Sequence, residues 1–336
     1  MKKFSEGVTA RRMTPADLDA VVAIDAAIVG RSRRGYFERR LQAALTDPKL
    51  HVQFAIDREG TLAGYLLARR LVGEFGRTEP AVRLEVIGVR PGDQGLGLGD
   101  ALLDTLASWA AEHEVRLIRT QASWRDHGML RFFDHSGFDL ARHQVMDCEV
   151  QVASRILDRE PDESRNVESS PSREIDYGTP AADHYETLAR DRVDVRLLTI
   201  ADAAEVARID RHLTGRDRTT YIDLAVREAI EGSAVRVSLT ARSGGLFVGF
   251  VMAKADFGDY GRTEPVAVID ILGVDPAFAH HGIGTALLSQ LFVNLSALGV
   301  ERVETIVSRE NFNLLSFLYR VGFGPSQRLG FERRVG

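Results

Sequence analysis

Phe75-Gly-Arg-Thr-Glu-Pro80 returns as Tyr260-Gly-Arg-Thr-Glu-Pro265, and each copy runs on into an apolar strand pattern, Val82–Val89 or Val266–Val274, and then a glycine-rich turn. The copies stand 185 residues apart (260 less 75). The same offset carries Asp25 onto Asp210, Tyr36 onto Tyr221, Pro91 onto Pro276, Gly97 onto Gly282 and Gly137-Phe138 onto Gly322-Phe323, without a gap. A period this long exceeds the roughly 20–50 residues of solenoid and propeller repeats, so each copy is expected to be a whole domain with its own core. The chain divides on this reading into a first domain over 1–155, a linker over 156–185 and a second domain over 186–336.

Composition agrees. The 336 residues exceed what one hydrophobic core usually serves, and 44% hydrophobic with 27% charged residues is the balance of an ordinary globular protein. No apolar run reaches the length of a membrane span, and the basic start at Met1-Lys-Lys has no apolar stretch behind it. With Cys148 the single cysteine, no intrachain disulfide is possible, and a cytoplasmic setting is expected. A net charge of −5 gives no electrostatic reason to expect nucleic acid as a partner. Between the copies, Asp158 to Pro180 is rich in Asp, Glu, Ser and Pro and poor in large apolar residues, which is linker chemistry.

Within each copy helices and strands alternate. Thr14 with Pro15 opens a helix carrying Leu18, Val21, Val22 and Ile24, and Thr199 opens its match. Second helices are predicted over 36–45 and 221–230, then strands over 51–56, 62–71 and 82–89, matched by 235–240, 246–253 and 266–274. A long amphipathic helix (98–112 and 283–298), a strand (115–121 and 300–307), a helix and a final strand region from Phe138 or Phe323 complete each copy. The pattern specifies an α/β fold with sheets of mixed direction.

The chemistry is placed in the turn before the long helix. It reads Gln94-Gly-Leu-Gly97-Leu-Gly99 in copy 1 and Ala279-His-His-Gly282-Ile-Gly284 in copy 2. Glycines let backbone N–H groups approach a ligand, and the helix start adds unpaired donors and the positive end of a dipole, a combination that binds phosphate or pyrophosphate. The dinucleotide spacing fails, because Leu102 and Leu287 stand where its third glycine belongs. Such a turn also occurs merely to make a tight connection.

Gln-x-x-Gly-x-Gly after an apolar strand ending in Gly-Val, followed later by Gly-Phe, resembles the GNAT superfamily of N-acetyltransferases, and the resemblance covers nearly all of both copies. It implies two tandem GNAT-like domains, each a mixed, mostly antiparallel sheet flanked by helices, with acetyl-CoA as donor and an amine, small molecule or protein, as acceptor. The strand ends Ile87-Gly88-Val89 and Leu272-Gly273-Val274 would pair with the pantetheine arm. The pyrophosphate would lie on Gly95, Leu96, Gly97, Leu98, Gly99 and Asp100, beside Gln94. In copy 2 it would lie on His280, His281, Gly282, Ile283, Gly284 and Thr285, with Asn311 in a further cofactor-contacting position that Asp126 fills in copy 1. The two halves are expected to pack as an internal pseudo-dimer.

Acetyl transfer needs an amine with a pKa of about 10.4 to lose its proton, a donor for the thioester oxygen, and an acid for the leaving thiolate. Glu85 and Asp270, on the strands beside the turns, are candidate bases; a carboxylate amid Val, Ile and Leu reads equally as an edge residue or an arginine's partner. The N–H groups of Val89 and Val274 suit the oxyanion. The position where many family members carry a tyrosine acid holds Phe133 and Leu318, with Tyr319 adjacent.

Arg33 and Tyr36 recur as Arg218 and Tyr221 in the segment that borders the acceptor site in this family, which makes them candidate substrate contacts beside the plainer reading of solvated charge. Adjacent His280 and His281 lack metal-ligand spacing, and no metal is expected. Asp93 and Asp100 in the copy 1 turn are expected to repel a pyrophosphate, which makes copy 2 the tighter site. The alternative to an enzyme is a non-catalytic acetyl-CoA-binding or regulatory protein with one or both halves inactive.

Overall fold

The computed structural model describes residues 7–71, 79–157, 193–232, 236–256, 258–262 and 264–336. Most of the first copy of the repeated motif, and all but the first two residues of the expected linker over 156–185, lie outside these.

In the first half the order is β1 (Val8–Arg12), α1 (Leu18–Val29), α2 (Arg34–Thr46), β2 (His51–Arg58), β3 (Thr61–Leu71), β4 (Ala81–Val89), α3 (Leu98–Glu112), β5 (Leu117–Ser123), α4 (His127–His135), β6 (Asp139–Leu140), β7 (His143–Glu149) and α5 (Val150–Leu157). The second half repeats it as β8 (Val193–Leu197), α6 (Ala203–Thr214), α7 (Thr219–Arg227), β9 (Leu239–Ser243), β10 (Leu246–Asp256), β11 (Val266–Val274), α8 (Ile283–Ala297), β12 (Arg302–Ser308), α9 (Phe312–Arg320), β13 (Gly324–Pro325) and β14 (Arg328–Arg334). The expected helix over 221–230 ends as α at Arg227 and finishes in a π-helical turn, Glu228–Gly232. Each half also begins with a strand that the sequence pattern did not announce, because β1 and β8 are short edge strands carrying charge.

The entry to α1 is set by a capping box. Thr14 donates its N–H at 2.7 Å and its hydroxyl at 2.9 Å to Asp17 Oδ2, and Thr199 with Asp202 repeats the arrangement. Asp17 is also gripped by Arg11 at 2.7 and 2.8 Å, which pulls its carboxyl down to about 2.

Two seven-stranded sheets result, ordered β1-β2-β3-β4-β5-β14-β6 and β13-β7-β12-β11-β10-β9-β8. Among the described residues only β4–β5 and β11–β12 are parallel. The last long strand of each half is exchanged: β7 pairs along its whole length with β12, and β14 with β5. The halves of the fold are therefore not the halves of the chain. The exchanged strands cross where Gly330 meets His143, since a Cβ on that glycine would stand 2.5 Å from the imidazole.

Helices cover both faces of each sheet. In the first half α3 packs on Val82, Leu84, Leu66 and Ile118, while α1 and α2 pack on Tyr65, Leu67 and Val86. Phe331 of the exchanged β14 completes the α3 side against Phe133, with ring centroids 5.4 Å apart.

Candidate active site

Each sheet carries a bulge at the candidate base. Pairing of β3 with β4 passes from Leu67↔Val86 to Ala68↔Leu84, which skips Glu85; β10 with β11 passes from Met252↔Ile271 to Ala253↔Ile269, which skips Asp270. A bulge bends its strand and increases the twist. Beyond it β4 leaves β5, which it pairs only at Val82 and Arg83, and β11 leaves β12 after Ile269. The result is a fork in each sheet. At its crotch the buried Thr120 hydroxyl donates to Leu84 O at 3.0 Å, and Thr305 to Ile269 O at 3.1 Å.

Backbone groups in the fork follow from register. Arg90 N–H donates to Ala63 O at 2.8 Å and Asp275 N–H to Val248 O at 2.9 Å. Alternation along an antiparallel pair then turns the N–H and C=O of Ile87, Val89, Leu272 and Val274 away from the inner neighbour and into the fork. Gly88 and Gly273 bond inward instead. Their lack of a side chain serves the sheet, because a Cβ would stand 2.7 Å from the Tyr65 or Phe250 ring.

The fork opens onto the helix start. Gly97 (φ 75°) and Gly282 (φ 73°) cap α3 and α8 in the left-handed region, and neither helix receives a side-chain cap. The N–H groups of Leu98, Gly99 and Asp100, and of Ile283, Gly284 and Thr285, occupy the unpaired first turn. Gly95 is also left-handed, and its counterpart His280 holds φ 63° despite its Cβ. Leu98 and Ile283 point into the cores, Leu96 into solvent, and Gly99 and Gly284 lie under the Phe132 and Phe317 rings. His281 Nδ1 sits 2.8 Å from Ala279 O. Gln94 donates to Val89 O at 3.2 Å and so tethers the turn to the strand end. Asn311 Oδ1 accepts from Leu314 N–H at 3.2 Å and Asp126 Oδ1 from Met129 N–H at 3.0 Å, so both cap the helix that follows.

Of the two carboxylates expected to repel a pyrophosphate in copy 1, Asp93 is balanced by arginines, while Asp100 has a neutral hydroxyl as its partner. Arg58 donates to Asp93 at 2.6 Å with Arg90 at 3.4 Å, and Ser136 donates to Asp100 at 2.7 Å. Asp93 is a neutralised anchor for the turn; Arg208–Asp275, at 2.6 Å, anchors copy 2.

The two candidate bases differ sharply. Glu85 is 1% exposed and ion-paired to Arg40 and, at 2.8 Å, to Arg83. The Asp270 side chain is 24% exposed and has Lys254 Nζ at 3.3 Å. Phe133 and Leu318 are buried in the cores, whereas Tyr319 is exposed.

Arg33 and Arg218 are buried beside Asp25 and Asp210, each giving the carboxylate both Nη2 and Nε, the latter at 2.8 and 2.9 Å. These pairs lock the α1–α2 and α6–α7 corners. Each guanidinium also lies 5.3 Å over its ring, Tyr36 or Tyr221. Arg33 further donates to Gly258 O and, at 3.3 Å, to Arg262 O, both in the second half.

Sequence reasoning offered an arginine partner for Glu85 without identifying Arg40 and Arg83, and it missed the fork threonines and the contact of segment 258–262 with the first half. Thr120 and Thr305 stand 185 residues apart and share the repeat offset, so recurrence alone marks them. Arg40 and Arg83 have Ala225 and Val268 as counterparts, and no recurrence points to them.

Two mixed sheets, each with a bulged strand, a fork and a glycine-capped helix, define an acetyltransferase architecture repeated in tandem. The chain belongs to the acetyltransferase (GNAT) family, whose model matches residues 22–138 and 202–323. It is 34% identical over 149 residues to the N-alpha-acetyltransferase RimI of Mycobacterium tuberculosis (strain ATCC 25618 / H37Rv), covering 44% of this chain and 87% of that protein. A tandem GNAT protein from the clavulanic acid biosynthesis pathway shares the fold at 16% identity and TM-score 0.62, over 98% of this chain and 99% of that one. The GCN5-related glucosamine N-acetyltransferase region of a fungal multi-domain GH3 beta-N-acetylglucosaminidase matches at 17% identity and TM-score 0.62, over 96% of this chain, which spans 38% of that protein. Among the described residues no helix is long and apolar enough to cross a membrane.

Proposed function

We propose that this protein transfers an acetyl group from acetyl-CoA to an amine by direct attack. The observation that carries the reading is the fork: backbone N–H groups of Ile87 and Val89, or Leu272 and Val274, face a gap that leads to an uncapped helix start. Acetyl-CoA supplies the acetyl group as a thioester. Its pyrophosphate suits the first-turn N–H groups after Gly97 and Gly282, and its pantetheine amides suit the exposed strand edges. The Val89 or Val274 N–H supplies the oxyanion donor. A carboxylate at the bulge takes the amine proton, and water protonates the thiolate, because Phe133 and Leu318 have no proton to give.

A second reading, an acetyl-CoA-binding protein that does not catalyse transfer, is favoured by those same apolar side chains. Thiol release in the presence of small amines and peptide N-termini separates the two. Calorimetry with acetyl-CoA tests both: binding is expected, and no binding at millimolar ligand removes them together.

A further inference from the structure

We propose that the segment 258–262 of the second half is the fixed wall of the first fork on the side where an amine must enter, so that copy 1 holds acetyl-CoA without transferring its acetyl group and copy 2 carries the reaction. This rests on the reading of the forks as acetyl-CoA sites.

The argument begins with the two faces of the first sheet. The helix start that suits the pyrophosphate belongs to α3, which packs on the Leu66, Leu84 and Ile118 face. A thioester held in the fork from that side leaves its carbonyl to be attacked from the other. That other face carries Arg83 and Glu85, because Val82 and Leu84 turn to α3 while Val86 turns to α1 and α2. Segment 258–262 lies on it.

The fit there is close and specific. Tyr36 donates its hydroxyl to Asp259 Oδ1 at 2.7 Å, Asp259 Oδ2 stands 3.8 Å from Arg83, and Arg33 donates to the carbonyls of Gly258 and Arg262. Gly258 lies so near that a Cβ would stand 2.5 Å from Tyr36 Cγ. Tyr260, at φ 57°, sits in a turn packed against β4 and β5, and Arg328 of β14 stacks over its ring at 5.3 Å. The phenol thus spans the fork from the second half, and burial holds its pKa far above the ordinary value. Beneath it Glu85 is closed off, with Arg40 and Arg83 on its oxygens. The corresponding carboxylate, Asp270, retains 24% exposure, with Lys254 Nζ at 3.3 Å. Among the described residues, Glu85 is shut off from an amine by this segment and Asp270 is not.

The test compares two ligands by calorimetry on the full chain. Acetyl-CoA needs only the donor side; a conjugate in which the CoA sulfur is joined through an acetyl bridge to the ε-amine of lysine needs both sides. Two acetyl-CoA and one conjugate per chain are expected. In Gly282→Trp the conjugate is lost while one acetyl-CoA still binds, which also shows that the variant is folded. Two conjugates per wild-type chain overturn the proposal, as does a single acetyl-CoA, which would mean that copy 1 holds no donor. Failure of acetyl-CoA to bind at all overturns the functional reading and this inference with it.

Discussion

Tyr36 and Asp259 are 223 positions apart in sequence, and the hydroxyl of the first donates to the carboxylate of the second at 2.7 Å in the buried interior. This contact joins the α2 helix of one half to the loop before β11 of the other. Burial works against a charged Asp259, yet Arg40, Arg83 and Lys254 prevail and hold its carboxyl far below the usual range. Tyr36→Phe removes a bond to a charged group, and a loss of about 1.5–3 kcal/mol is expected in urea unfolding. Gly258→Ala should destabilise by about 1–3 kcal/mol, because the Tyr36 ring must move.

Glu85 and Asp270 occupy matching bulges but should respond differently to neutralisation. Glu85→Gln takes from the buried Arg40 and Arg83 their nearest countercharge, leaving Asp259 alone to balance them, and is expected to cost about 3–5 kcal/mol. Asp270→Asn disturbs a half-exposed pair worth at most about 1 kcal/mol. Its expected effect is on the reaction: a roughly hundredfold or greater fall in turnover with acetyl-CoA affinity nearly intact. Denaturation and steady-state kinetics on both variants check this, and unchanged turnover in Asp270→Asn removes it as the base.

The fork threonines give a paired prediction. Thr120→Val and Thr305→Val each leave a buried carbonyl without its donor, for a loss of about 1–3 kcal/mol. The fork geometry should loosen as well, so acetyl-CoA binding weakens at the altered half, and serine at either position restores it. Calorimetry on the valine and serine variants decides; equal affinity in all of them would show that the hydroxyls act on stability alone.

His51 makes stability depend on pH. It is buried, and burial, then Arg40 and Arg69, push its pKa down to about 3. Arg40 Nη1 lies 3.0 Å from Nδ1, a contact suited to the neutral ring. Between about pH 6.5 and pH 3 the unfolded chain binds a proton that the folded chain does not, so stability falls as pH drops through that window. The slope approaches about 1.4 kcal/mol per pH unit. Between pH 7 and 5, His51→Asn should lose on the order of 1–2 kcal/mol less than the wild type in the same urea titration.

Much of each half was legible because its signals are local. The repeat offset, the Thr14 and Thr199 caps, and the run from β4 through Gly97 into α3 fixed the elements and their order, and the family resemblance added the strand ends and turns as the expected place of the cofactor. The strand exchange was not legible. Phe138 and Phe323 announce a strand in register with the repeat, but nothing in a strand's own sequence says which sheet it will join. The guanidiniums on Glu85 were hidden for a related reason. Arg40 reaches it from the α2 helix, Arg83 has no repeat partner, and the cover that shuts Glu85 from water comes from the far half of the chain.

The exchange of β7 and β14 has a genetic consequence. Two separate polypeptides that traded such strands can each meet its own kind as well as the other, and a change in one then has to suit every pairing. A single chain that trades strands with itself meets only one neighbour. Stoichiometry is fixed at synthesis, and each half is free to drift provided the other drifts with it. Arg40 facing Asp259 on one side, with Ala225 as its counterpart on the other, is the kind of difference such a closed partnership allows to accumulate.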